Sequence, residues 1–215
     1  MLRPALILLL PTLLGAQPWE VQAEGVRAEA PRLEGASLRG FEGSAGGSFQ
    51  TGDGFVVSLN RRLWIPGPTF RLVGHLEWAR WSTRGQISGG GAQVPTCLRQ
   101  EGPGLGLGAQ FWLPFTGLAA EAAVLQRFHR ERASAGAASW DPFRSRPWVR
   151  GGLRWRTPGP RGLPLTLLFS YQAGRAPSRP PPGPAPADLP AYFAAQGPPG
   201  FTRLWSFGLA VPWPK

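Results

Sequence analysis

Phe55-Val56-Val57-Ser58-Leu59-Asn60-Arg61-Arg62-Leu63-Trp64-Ile65 carries Phe55, Val57, Leu59, Leu63 and Ile65 at one parity and Ser58, Asn60 and Arg62 at the other. Successive side chains of a β-strand point to opposite faces, so this stretch reads as a strand lying between an apolar and a polar environment. Helical spacing would set its apolar residues three and four apart.

The same rule applied outward predicts seven further strands. Upstream, Ser37 to Gln50 sets Phe41, Ala45 and Phe49 against Glu42, Ser44 and Ser48, and Thr51-Gly52-Asp53-Gly54 is expected to close a tight hairpin, because glycine and aspartate tolerate positive φ. Downstream, Pro66-Gly67-Pro68 leads into Phe70 to Thr83, where Phe70, Leu72, Leu76 and Trp78 oppose Arg71, His75 and Glu77. Leu105, Leu107, Ala109, Phe111 and Leu113 then alternate with Gly106, Gly108, Gln110 and Trp112.

Residues 118–132 are rich in helix formers, and a helix is the alternative there. Their even positions, Leu118, Ala120, Ala122, Val124 and Phe128, nevertheless oppose Glu121, Arg127 and His129, and we read a strand. Val149, Gly151, Leu153 and Trp155 oppose Arg150, Gly152, Arg154 and Arg156. Leu163, Leu165, Leu167, Phe169 and Tyr171 oppose Thr166, Ser170 and Gln172, with Leu168 as the apolar exception. Trp205, Phe207, Leu209, Val211 and Trp213 alternate with Leu204, Ser206, Gly208 and Ala210.

Connections near 66–69, 114–117 and 158–162 are short, as is the hairpin at 51–54, whereas long loops are expected near 84–102, 133–147 and 174–200, the last rich in proline. Short turns on one side, long loops on the other and both termini beside the short turns describe a transmembrane hairpin topology. Backbone amides cannot be left unpaired in hydrocarbon, so such a sheet must close on itself. The expected fold is all-β: an eight-stranded antiparallel up-and-down transmembrane β-barrel over residues 37–213, in one domain. Trp155 and Trp213 fall near short-turn ends, Phe49, Phe55, Tyr171 and Trp205 near loop ends, and Trp78 on an outward face, as interfacial aromatics would.

Composition narrows the setting. Met1 to Ala16 has Arg3, an apolar stretch from Ala5 to Leu14 and small residues Gly15 and Ala16, so residues 1–16 read as a secretory signal peptide. Val21-Gln22-Ala23 offers a second cleavage site, and Gln17 stands where a lipoprotein would carry cysteine. Residues 17–36, with Glu20, Glu24, Glu29 and Glu34, read as a polar periplasmic lead-in. Cys97 is the only cysteine, so no intramolecular disulfide staples the fold. The net charge of +11 is carried by scattered arginines, Lys215 being the sole lysine, and this scatter argues against a nucleic-acid partner.

The signal-like start, amphipathic strands and short-turn, long-loop rhythm resemble small outer-membrane barrels of the OmpA and OmpX type. The ending departs from their pattern, since Pro214 and Lys215 follow Trp213. The resemblance implies the outer membrane of a diderm bacterium, membrane lipid and the barrel-assembly machinery as partners, and a non-catalytic envelope role with an unidentified surface ligand at the long loops.

Interior-facing Glu42, Glu77 and Glu121 are expected to pair with Arg62, Arg71, Arg127, Arg154 and Arg156, with His75 and His129 on the same polar face. Eight strands enclose a space that side chains can fill, so a plugged lumen is preferred to a pore. A lipid-modifying enzyme is the first alternative, for which His75, Glu77 and Ser58, or His129, Glu121 and Ser170, supply the residue types. A secreted soluble barrel or sandwich binding a small apolar ligand is the second. The histidines lack ligand spacing for a metal, Gly104-Leu105-Gly106-Leu107-Gly108 has no following phosphate-binding helix, and no cofactor is expected.

Overall fold

Residues whose side chains alternate between two environments form strands here along nearly the whole wall. The computed structural model describes residues 19–29, 46–89, 92–136, 138–140, 143–160, 164–175 and 201–213. The strands are β1 (Trp19–Ala28), β2 (Gly46–Phe49), β3 (Gly52–Trp64), β4 (Phe70–Gly89), β5 (Ala92–Trp112), β6 (Leu118–Ala135), β7 (Ala138–Trp140), β8 (Phe143–Pro158), β9 (Pro164–Gly174) and β10 (Arg203–Pro212). Eight of them, in the order β1, β3, β4, β5, β6, β8, β9 and β10, form a closed antiparallel meander, with β1 paired to both β3 and β10. The short β2 and β7 extend the sheet beside β4 and β6.

Closure depends on a strand the sequence reading assigned elsewhere. Trp19–Ala28, expected within a polar lead-in, pairs with β10 from Glu20↔Pro212 to Ala28↔Leu204 and with β3 from Trp19↔Arg61 to Ala28↔Gly52, as a full wall strand. The expected first strand lies mostly in residues 30–45, outside the described residues, and its end at Gly46–Phe49 forms only the short β2. Gly52-Asp53-Gly54 is no hairpin but the start of β3, with Gly54 opposite both Val26 and Trp81. The alternation was present in β1, where Glu20, Gln22 and Glu24 face inward between Trp19, Val21 and Ala23, but acidic residues beside a signal-like segment disguised it. With β1 in place, short turns at one end of the wall alternate with long connections or projecting hairpins at the other.

Two expected loops are strand as well. β4 and β5 stay paired from Phe70↔Phe111 to Gly89↔Ala92, so most of 84–102 is a projecting hairpin. β6 runs to Ala135, β7 folds back on it, and β8 starts at Phe143, which removes most of the loop expected at 133–147. In the β4 projection the outward positions turn polar, as at Arg84, Gln86 and Ser88, so the apolar exterior that marks the wall ends there. The expected loop at 174–200 and the signal segment 1–16 lie outside the described residues, apart from Gly174 and Arg175.

Residues 118–132 are strand, paired to β5 and β8 along their length. Their helix-forming alanines yield because alternate positions contact the lumen and the exterior. One irregularity turns a side chain over: the register shifts between Arg62 and Trp64, and Trp64 joins the exterior next to Phe70, with ring centroids 6.1 Å apart.

Candidate functional site

The lumen gathers polar side chains from all eight wall strands. Arg154 Nη1 donates to Glu121 Oε2 at 2.7 Å, and its Nη2 pairs with Glu20. Arg150 Nη2 lies 3.0 Å from Glu121 Oε1, and Nη1 reaches Glu24 at 3.8 Å and Glu77 at 3.9 Å. Arg127 pairs with Glu77 and donates from Nη2 to Gln172 Oε1 at 2.6 Å. Asn60 donates to Gln22 Oε1 at 2.8 Å, Gln110 donates to Glu121 Oε2 at 2.8 Å, and Ser170 and Ser206 both bond Glu24.

Removing charges from water is costly unless each gains partners, and truncating one member strands the others. Here the carboxylates are shared: Glu121 serves two arginines, and Arg150 stands among three glutamates. Two inward glycines of β5 make room for this chemistry. A Cβ on Gly104 would stand 2.9 Å from Glu77 Oε1, and one on Gly108 would stand 2.6 Å from His75 Nε2. The glycine run thus clears space for neighbouring side chains.

Toward the long loops the lining changes. Val26, Val56, Trp81, Leu98, Trp148, Phe201 and Leu204 form a buried apolar cluster, with Trp81 5.8 Å from Trp148 and 6.4 Å from Phe201 between ring centroids. Arg127 sits at the junction, its guanidinium 4.9 Å from the Trp148 ring and 5.3 Å from that of Trp81. Phe49, expected at the lipid interface, packs against this internal cluster instead.

Of the expected lumen set, Glu77, Glu121, Arg127, Arg154 and His75 join one network, with His75 Nδ1 2.8 Å from Asn60 Oδ1. His129 sits in the apolar part, bonded to Gln100 and edge-on to Trp81 at 5.1 Å. Arg71 and Arg156 stack on the Trp112 ring at 4.6 and 4.5 Å near the short-turn mouth, with Arg71 within electrostatic reach of Arg62 and Glu20. Glu42 is outside the described residues. Sequence reasoning missed Glu20 and Glu24, assigned to the lead-in, and left Arg150 out of the pairing although it shares the parity of Arg154.

Ser58 lies opposite Glu77, but no hydrogen bond among the described residues joins either catalytic grouping. Ser58 Oγ has no hydrogen-bond partner among the described residues, while His75 is engaged by Asn60 and Arg150. Ser170 bonds Ser206 and Glu24, and His129 bonds Gln100 rather than Glu121. Among the described residues no three His, Cys, Asp or Glu side chains cluster as a metal would require.

The outer face reverses this chemistry. Leu107, Val149, Leu153 and Phe207 are 58, 56, 62 and 62 % exposed, and the large apolar side chains of this surface come from every wall strand. Trp78, Trp155, Trp205 and Trp213 are exposed, while Tyr171 lies against Trp205 with centroids 4.5 Å apart. On the long-loop side the apolar run stops at a charge on six strands: Arg27, Asp53, Arg80, Glu101, Arg130 and Arg203. On the other side Trp19, Trp64, Phe115, Trp155 and Trp213 crowd the short-turn end. No helix among the described residues is long and apolar enough to cross a membrane, a criterion that does not bear on a β-barrel. Compared with protein-family models and with curated proteins, the chain matches none.

Proposed function

We propose that this chain is an outer-membrane β-barrel of a diderm bacterium, of the small OmpA and OmpX kind, acting as a non-catalytic envelope or surface-interaction protein with a plugged lumen. The observation that carries the reading is the inversion of the wall: apolar side chains face out all around a barrel whose interior holds buried ion pairs. Water would oppose that exterior, whereas hydrocarbon favours it. From Phe70 to Trp78 the apolar run of β4 measures about 27 Å along the strand and, at a tilt of about 40°, about 21 Å along the barrel axis, close to the apolar band of membrane barrels. A soluble carrier of an apolar ligand needs the opposite arrangement, with its greasy side chains around a cavity. A cavity bordered by Glu24, Glu121, Arg150 and Ser170 is about 10 Å³, room for no more than a single water, so side chains fill the lumen closely at that level.

β1 also bears on maturation. Cleavage after Ala16 leaves the strand whole, whereas cleavage after Ala23 would remove Glu20 and Gln22 from the network. Trp19 and Trp213, whose backbones are joined by a 2.8 Å hydrogen bond, then stand at the periplasmic end. Long connections and the projecting β4–β5 hairpin face the exterior and offer the contact surface for a partner.

Fractionation combined with heat-modifiable gel mobility tests membrane residence and closure together. Orientation is tested through Cys97, the sole cysteine, which is exposed on the outer face of the projecting hairpin. A membrane-impermeant maleimide added to intact cells is expected to label it. Recovery of the protein in the soluble fraction, or labelling only after the cells are broken, would overturn the proposal.

A further inference from the structure

The short-turn mouth of the lumen is lined differently from the plug behind it. Arg62 of β3, Arg71 of β4 and Arg156 of β8 face inward there and are half-buried. The register shift that turns Trp64 outward leaves Arg62 as the last inward side chain of β3, and Arg71 is the first of β4. Parity therefore brings three guanidinium groups from separate strands to one end of the lumen. Arg71 and Arg156 share the buried Trp112 ring, and all three arginines lie within electrostatic reach of one another.

Counter-charge is scarce at this level. Glu20 is the carboxylate that both Arg62 and Arg71 sense, and it is already paired with Arg154. The adjoining connections, 65–69, 113–117 and 159–163, contain no aspartate or glutamate. Stacking on an indole stabilises a guanidinium through its face and leaves the N–H groups around its edge to be satisfied. Arg71 Nε and Nη1 are buried and have no hydrogen-bond acceptor among the described residues. The plug behind them is committed elsewhere: Gln110 bonds Glu121 and Trp112, and Glu121 holds Arg154 and Arg150.

Three cations beside one shared carboxylate, with buried donors left over, make a receptor for an anion. The kind of anion follows from the donors. A carboxylate is filled by one or two guanidinium forks, whereas a phosphate has oxygens enough to accept from three directions and carries more charge to offset theirs. These side chains face the lumen, with the barrel wall between them and the outer belt, so a soluble anion reaches them through the mouth.

We infer that Arg62, Arg71 and Arg156 form a binding site for a small soluble phosphate anion at the short-turn mouth of the barrel. The site needs only the closed barrel; the membrane reading above adds that this mouth opens to the periplasm.

The test uses the full-length mature barrel in an uncharged detergent, titrated with inorganic phosphate near neutral pH at constant ionic strength and read by calorimetry, with acetate as the control anion. The wild type is expected to bind one phosphate per barrel at least about tenfold more tightly than acetate. The double variant Arg71→Gln, Arg156→Gln is expected to weaken phosphate binding at least about tenfold, and Arg62→Gln, which leaves the Trp112 stack in place, at least about threefold. Arg80→Gln, on the outer face toward the long loops, is expected to change nothing. Heat-modifiable mobility shows which variants close, and Arg62→Gln decides alone if the double variant does not. Equal affinity for phosphate and acetate, wild-type affinity in a closed mouth variant, or a matching loss in Arg80→Gln overturns the inference. Displacement of phosphate by phosphatidylglycerol added to the micelles overturns it too, since the site would then be reached from the lipid side. None of these outcomes bears on membrane residence, which fractionation reads separately.

Discussion

Toward the short turns the interior is filled by Glu20, Glu24, Glu121, Arg150 and Arg154, cross-linked through amides and hydroxyls; toward the long loops the same cross-section holds Trp81, Trp148, Phe201 and Leu204. Outside, the apolar belt surrounds the polar half, and the charges that end it, Arg27, Asp53, Arg80 and Arg203, stand at the level of the apolar half. The contrast shows that the wall answers to whatever surrounds the barrel, while the lumen need only be full and internally satisfied. Ion pairs meet that requirement by sharing carboxylates among arginines, and indoles meet it by volume and edge-to-face packing. Arg127 makes the two compatible, offering its edge to Glu77 and Gln172 and its faces to Trp81 and Trp148.

The sharpest way to break the contrast is at that junction. Arg127→Ala removes the partner of a fully buried Glu77 and unstacks two indoles, and is expected to lower stability by about 5 kcal/mol. Urea unfolding in lipid vesicles measures it; a loss of less than about 1 kcal/mol would mean that the halves are not joined through Arg127.

Trp148→Ala acts on the apolar half alone. It should cost about 4 kcal/mol by opening a cavity, yet leave vesicles tight to ions, because the polar half still fills the cross-section. Ion flux through this variant would show that the indoles, not the ion pairs, seal the barrel.

Leu107→Arg leaves both halves untouched and probes the apolar belt outside them. In a bilayer it should cost about 3 kcal/mol. On a barrel surrounded by water the same change at a side chain 58 % exposed would stay within about 0.5 kcal/mol, so this variant separates the two settings most directly.

Much of the wall was legible from residues in isolation. The facing of Ser58, Asn60, His75, Glu77, Glu121, Arg127 and Arg154 into the lumen, and of Leu105, Val124 and Trp205 outward, follows from parity and appears in the structure as read. Parity does not say which carboxylate meets which arginine. Arg154 reaches Glu20 across 134 residues of sequence, and that meeting exists only because β1 closes against β10 and brings β8 across the lumen from it. Likewise Phe201 enters the plug from beside a proline-rich stretch with no periodicity to announce it.

From sequence alone came the all-β class, the alternation of faces and the strand character of residues 118–132, because each is imposed locally by the two environments a strand separates. The choice of Trp19–Ala28 as first strand, the extension of β4, β5 and β6 beyond the belt, the partners of each arginine and the division of the lumen were decided by closure. A cylinder must satisfy its last edge and fill its own interior, and both conditions couple residues that no local pattern connects.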